Sequence, residues 1–189
     1  MYQKDNYYHI YNRGCNRLPI FFCNENYRFL IQKFIESVEK YEIEINAFCL
    51  MPNHYHLLVK QNSDILISKW LKTVFNGYVQ AINKQENRKG TLFEGRANSK
   101  EIKTEEQLIH LICYIHYNPV KAGLVDRAED WEFSDYSDWI GIRKSELFCD
   151  NLLRKYFNSQ DEYRQFFENY IQTLQSVEKH QDILFDEDE

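Results

Sequence analysis

Glu44-Ile45-Asn46-Ala47-Phe48-Cys49-Leu50-Met51-Pro52-Asn53-His54-Tyr55-His56-Leu57-Leu58-Val59-Lys60 is the stretch on which the fold turns. Two apolar runs of strand length flank a Pro-Asn turn signal, the pattern of an antiparallel hairpin. Side chains alternate between the faces of a strand, so His54 and His56 share one face, with Leu58 beyond them. Tyr55, Leu57 and Val59 take the other face. Two imidazoles side by side can each give a ring nitrogen to one metal ion. A hydrogen-bonded surface pair is the alternative reading, and in either case two ligands do not complete a metal site.

Working outward, Tyr7-Tyr8-His9-Ile10-Tyr11-Asn12 reads as a first strand, ended by Arg13-Gly14. Asn24 opens a helix bearing Tyr27, Leu30, Ile31, Phe34, Ile35 and Val38 at helical spacing. After the hairpin, Asp64 or Ser68 opens a second helix with Trp70, Leu71, Val74, Phe75, Tyr78 and Ile82 on its apolar side. A basic loop, residues 84–90, leads through Leu92-Phe93-Glu94-Gly95-Arg96 to a short strand near Ser99 to Lys103. Thr104-Glu105-Glu106-Gln107 is a capping box for a third helix carrying Leu108, Leu111, Ile112 and Ile115. The first six elements run βαββαβ, which predicts an α+β, ferredoxin-like antiparallel sheet with helices on one face. The third helix follows the last strand. Residues 1–145 are expected to form the main domain and 146–189 an acidic, mostly helical C-terminal extension.

The chain of 189 residues is 43% hydrophobic and 16% aromatic, the composition of a globular protein. Five widely spaced cysteines without a Cys-x-x-Cys indicate neither a disulfide framework nor a zinc knuckle, and fit a reducing cytoplasm. No apolar leader or membrane-length apolar window is visible. The net charge of −6 is unevenly spread: residues 1–145 hold 19 Lys and Arg against 18 Asp and Glu, residues 146–189 only 4 against 11. Between residues 60 and 103 there are 9 basic and 4 acidic side chains. A local basic stretch of this kind suits a phosphate backbone whatever the total charge. Arg13, Lys60, Arg88, Lys89, Arg96, Lys100 and Lys121 are the candidates to meet phosphates.

A second cluster lies at Tyr114-Ile115-His116-Tyr117-Asn118-Pro119-Val120-Lys121-Ala122-Gly123. Tyr114 and Asn118 share a helix face at i, i+4. The residue before proline avoids the α region, which predicts a helix end at Tyr117 or Asn118. The Asn118 amide oxygen is then free to reach a metal beside the sheet. A tyrosine hydroxyl is a weak nucleophile, with a pKa of about 10. A divalent cation that polarises a phosphoryl oxygen makes in-line attack accessible and leaves a covalent phosphotyrosine. With 14 tyrosines in the chain, an ordinary packed aromatic is the alternative for Tyr114.

Together, His54-Tyr55-His56, Leu92 to Arg96 and Tyr114-Ile115-x-x-Asn118-Pro119-Val120-Lys121-Ala122-Gly123 resemble the single-domain tyrosine transposases of the HUH superfamily. They are most similar to the REP-associated (IS200-like) tyrosine transposases of bacteria. The resemblance spans roughly residues 5–141 and implies Tyr114 as nucleophile, with His54, His56 and Asn118 holding Mg²⁺ or Mn²⁺. It implies cleavage and rejoining of single-stranded DNA hairpins from imperfect palindromes, with the 5′-phosphate kept on the tyrosine and a 3′-OH released. Arg96 and Lys121 gain weight as DNA contacts because they lie within matching motifs. Tyr117, a second tyrosine in the motif, departs from the pattern. Neutral imidazoles and an amide suit so hard an ion only with water and phosphate oxygens, which predicts weak metal binding without DNA. Two alternatives stay open: a replication-initiator or relaxase-like nuclease, and a non-catalytic nucleic-acid-binding domain. A homodimer, with the tyrosine serving its own or the partner's histidines, is open as well.

Overall fold

The computed structural model describes residues 2–178, with side chains to residue 175. The last nine residues, 181–189, for which the sequence predicts fraying, lie outside the described residues. The elements in order are β1 (Tyr7–Arg13), α1 (Asn24–Val38), β2 (Ile43–Met51), β3 (His54–Gln61), α2 (Ile67–Gln85), β4 (Asn98–Ile102) and α3 (Glu105–Lys121). Three further helices follow: α4 (Tyr136–Trp139), α5 (Asn151–Tyr156) and α6 (Gln160–Glu178). The four strands form one antiparallel sheet in the order β2-β3-β1-β4, the ferredoxin-like arrangement. Among the described residues no helix is long and apolar enough to cross a membrane.

Two cores lie on opposite faces of this sheet. Tyr8, Ile10, Tyr55, Leu57 and Val59 pack with Leu30 and Phe34 of α1 and with Trp70, Val74 and Tyr78 of α2. This is the helical face that the βαββαβ order predicts. The other face is not left to solvent: Ala47, Cys49, Met51 and Leu58 pack under Ile112, Cys113 and Ile115 of α3. A bulge between Ile45 and Ala47 makes the two-sided packing of β2 work. Before it, Ile43 and Ile45 enter the first core; after it, Phe48 and Leu50 do, while Cys49 and Met51 turn to α3. One inserted residue inverts the side-chain alternation of the strand.

The expected helix stop before Pro119 is not observed. α3 continues through it to Lys121. A proline in the last turn forfeits only its own N–H bond, here the one to Ile115, and the end is secured otherwise. Leu124 N donates to Pro119 O and Gly123 N to Val120 O, a Schellman closure with Gly123 at φ 67°. The Pro-Val-Lys-Ala-Gly run is therefore a helix terminus, placed one turn later than the proline alone suggests.

Residues 146–175 pack onto α3 and α4. Leu152, Leu153, Phe157, Tyr163 and Phe167 are buried with Trp139 and Tyr136 in the second core. Its polar centre is His116, fully enclosed. His116 Nε2 lies 3.0 Å from Asp135 Oδ1, and its Nδ1 lies 2.5 Å from the Tyr163 hydroxyl. The carboxylate can only accept, so Nε2 carries the proton. Asp135 also receives Phe48 N and Trp139 Nε1. β2, α3, α4 and α6 thus meet at one hydrogen-bonded junction.

Candidate active site

β3 presents His54 and His56 to the α3 side of the sheet, as strand alternation predicts. Tyr11 of β1 pairs directly with His56, Arg13 with His54, and His9 with Leu58. Side chains of directly opposed residues share a face, so β1 adds His9 and Tyr11 to the histidine surface. Tyr114, on the turn of α3 above this surface, stands edge-on to it. Its ring centroid is 5.3 Å from that of His56 and 6.3 Å from that of His9. The tyrosine and the histidines therefore meet within one chain.

Each imidazole of the pair is held at Nδ1. His54 Nδ1 lies 2.7 Å from Asn53 Oδ1. Asn53 Nδ2 donates to Arg17 O, which fixes the amide so that oxygen faces the ring. An amide oxygen only accepts, so His54 carries its proton on Nδ1 and its lone pair on Nε2. The brace is a loop with Asn16 and Arg17 in the left-handed region, at φ 56° and 59°. Gly14 N donates to Asn53 O, and Ile20 N to Pro52 O, so this loop pins the hairpin turn. His56 Nδ1 lies 3.0 Å from His9 Nε2.

Burial depresses the pKa of His56 well below the ordinary imidazole value, with His9 and His54 adding to the effect. His9 falls to about 3, by burial first and by the nearby Lys100 second. Both rings are neutral at physiological pH, the form in which imidazole binds a metal. Among the described residues no three His, Cys, Asp or Glu side chains gather as a metal-holding group. A third protein ligand would be of another kind. Asn118 is buried and sits one turn along α3 from Tyr114, and its Nδ2 donates to Tyr114 O at 2.8 Å. That bond leaves the amide oxygen as the donor atom. Two imidazole nitrogens and one amide oxygen are a set that Mg²⁺ or Mn²⁺ accepts when water and phosphate fill the remaining positions.

Tyr117 is buried in the second core. Among the described residues no ring contact joins it to His54 or His56, so geometry separates it from Tyr114. The cations are spread more widely. Arg13 is engaged, its Nε 2.6 Å from Glu94 Oε2. Lys60 Nζ lies 5.7 Å from the Tyr7 ring centroid, on the histidine face but six pairs along from His54. Arg96, in the loop before β4, and Lys121, at the end of α3, are exposed. Lys100 pairs with His9 across β4 and β1. Sequence reasoning passed over His9, Tyr11 and the bracing role of Asn53. The signal for the first two is their i, i+2 spacing in β1, which gains meaning only once β1 is paired with β3.

The comparisons with known proteins put a class to this arrangement, that of transposases. The family model described as transposase IS200-like matches residues 2–118, and the chain belongs to that family. One relative is a putative REP-associated tyrosine transposase of Haemophilus influenzae, 31% identical over 111 residues, covering 53% of this chain and 63% of the relative. Another is a REP-associated tyrosine transposase of Escherichia coli K12, 26% identical over 112 residues, covering 58% of this chain and 64% of the relative. The chain thus spans just under two thirds of the length of these curated relatives. A solved REP-associated tyrosine transposase bound to a REP hairpin superposes with a TM-score of 0.65 at 20% identity. That match covers 79% of this chain and 88% of the solved one, and it establishes the shared fold.

Proposed function

We propose that the protein is a metal-dependent strand transferase that cleaves and rejoins single-stranded DNA hairpins through a covalent 5′-phosphotyrosine. Tyr114 is the nucleophile, and His54, His56 and Asn118 hold Mg²⁺ or Mn²⁺. The observation that carries this reading is the edge-on approach of the Tyr114 ring to His56, 5.3 Å between centroids. When bound, the cation polarises a phosphoryl oxygen and offsets the charge that builds in the displacement. α3 sets the Tyr114 ring edge-on to His56, while Asn53 and the Gly14–Leu18 loop hold His54 in place. The Oη–P bond forms as the phenol proton leaves. The P–O3′ bond breaks, and the departing oxygen takes up a proton to become the 3′-OH. Reversal of the same step rejoins strands. The solved relative is bound to a REP hairpin, and a DNA hairpin is the corresponding ligand here. Arg96 and Lys121, both exposed, are its proposed phosphate contacts. A cytoplasmic setting accords with such a substrate, and the chemistry needs no second copy of the chain.

A denaturing gel tests the reading. The protein is incubated with Mn²⁺ and pooled hairpin-bearing single-stranded DNA, beside Tyr114→Phe, Tyr117→Phe and His56→Ala. An adduct kept by Tyr117→Phe and lost by the other two is the expected result. Binding with no adduct under any condition would leave a non-catalytic DNA-binding domain instead.

A further inference from the structure

His9 belongs to no motif that carried the functional reading, yet it makes the one side-chain hydrogen bond given to His56 among the described residues, Nε2 to Nδ1 at 3.0 Å. The two rings are stacked, 5.2 Å between centroids and 23° between planes. Two neutral imidazoles can share such a bond in two ways, and they differ in consequence. If His9 donates, the His56 proton sits on Nε2 and no lone pair faces outward. If His56 donates from Nδ1, Nε2 is free to bind a cation. His54 carries its proton on Nδ1, because that nitrogen meets an amide oxygen.

We propose that His9 is a positioning residue of the metal site, accepting the Nδ1–H of His56 and so fixing the tautomer and ring plane that present Nε2. This rests on the reading of His54 and His56 as ligands. The reason is general: a ligand imidazole donates its other N–H to a fixed acceptor, which orients the ring and strengthens it as a base. Asn53 does this for His54 and His9 for His56. The acceptors come from different places, a turn residue and the neighbouring strand. The pairing of β1 with β3, Tyr11 opposite His56, places His9 within reach.

The test is Mn²⁺ binding by the full chain, read from the loss of the free-ion resonance, for wild type, His9→Phe and His9→Gln. Phe keeps a flat ring and offers no acceptor, and Mn²⁺ should bind about 10-fold to 100-fold more weakly, the usual effect of losing such a partner. Gln restores an acceptor oxygen and should recover part of the loss, although packing differs in both variants. Equal affinity in wild type and His9→Phe would overturn the proposal. A second measurement needs no variant. Long-range ¹H–¹⁵N correlations on the metal-free wild type should find the His56 proton on Nδ1; finding it on Nε2 would also overturn the proposal. Wild type that binds no Mn²⁺, alone or with hairpin DNA, would instead remove the ligand reading itself, with the tautomer still measured.

Discussion

Replacing Tyr163 with Phe removes one oxygen atom from the junction that ties α6 to α3. The ring stays, so the second core keeps its volume and the change removes only the hydroxyl's bonds, to His116 Nδ1 and to the Cys113 thiol. His116 is fully enclosed, so its Nδ1 gains no water in exchange. A buried polar atom left without a partner costs about 1–3 kcal/mol. For a chain of this size each kcal/mol moves the melting temperature by roughly 2–4 °C, so a fall of about 2–12 °C is expected. Calorimetry on Tyr163→Phe, His116→Phe and the double variant separates the bond from packing. Asp135 keeps its donors from Phe48 and Trp139 when His116 is lost. The double variant should therefore be less damaging than the sum, with a coupling of about 1 kcal/mol or more. There is a functional arm: His116 lies two residues from Tyr114 on α3, so adduct formation should slow well below the melting temperature. A melting temperature within 1 °C of wild type, together with additive single effects, would refute the view that this junction holds the helix.

Other expectations follow from the same packing. A chain ended at residue 145 exposes Trp139, Tyr136 and Cys113, which Tyr163 and Phe167 cover, and it should show no cooperative melt; a sharp transition near that of the full chain would count against this. Burial raises the Cys149 thiol to about 11 and Cys113 to about 12, while Cys23 is exposed. At pH 8 a thiol of pKa near 11 is about 0.1% thiolate, so iodoacetamide should label Cys149 only slowly, and exposed Cys23 ahead of it. Cys149 labelling should rise about tenfold per pH unit up to pH 10; a flat profile by mass spectrometry would contradict that assignment. A Cβ on Gly14 would overlap the Leu18 carbonyl oxygen, so Gly14→Ala should cost about 1–3 kcal/mol in a thermal melt. It should also weaken Mn²⁺ binding, since Gly14 N holds Asn53 O; unchanged melting and affinity would show the loop to be slack.

The parts of the fold set by local chemistry could be read from residues. The Pro-Asn turn between two apolar runs gave the β2–β3 hairpin, and alternation put His54 and His56 on one face. Tyr114 and Asn118 needed only helical spacing, and here a hydrogen bond joins them. Pro119 misled because its local cost was weighed without the closure that follows. Gly123 and Leu124 satisfy the carbonyls of the last turn, and the proline becomes tolerable. The bulge in β2 was illegible for another reason. Ile43, Ile45, Ala47 and Cys49 look like one alternating face, and only burial on both sides of the sheet makes them two.

His9 marks the deeper limit. Its face was readable from the spacing of Tyr8 and Ile10, but its neighbour was not. Sliding β1 by two residues along β3 leaves every apolar side chain on its own face, so hydrophobic pattern does not choose between the registers. One slide would put His9 directly opposite His56, the other Arg13, in place of Tyr11. What selects the observed register is a backbone contact outside both strands, Gly14 N to Asn53 O, reinforced by Cys15 N to Leu92 O. Those bonds need a chain that passes Leu18 closely enough to exclude any side chain at Gly14. The glycine that looks like a simple strand terminator thus sets which ring meets His56, and with it the placement of the third histidine.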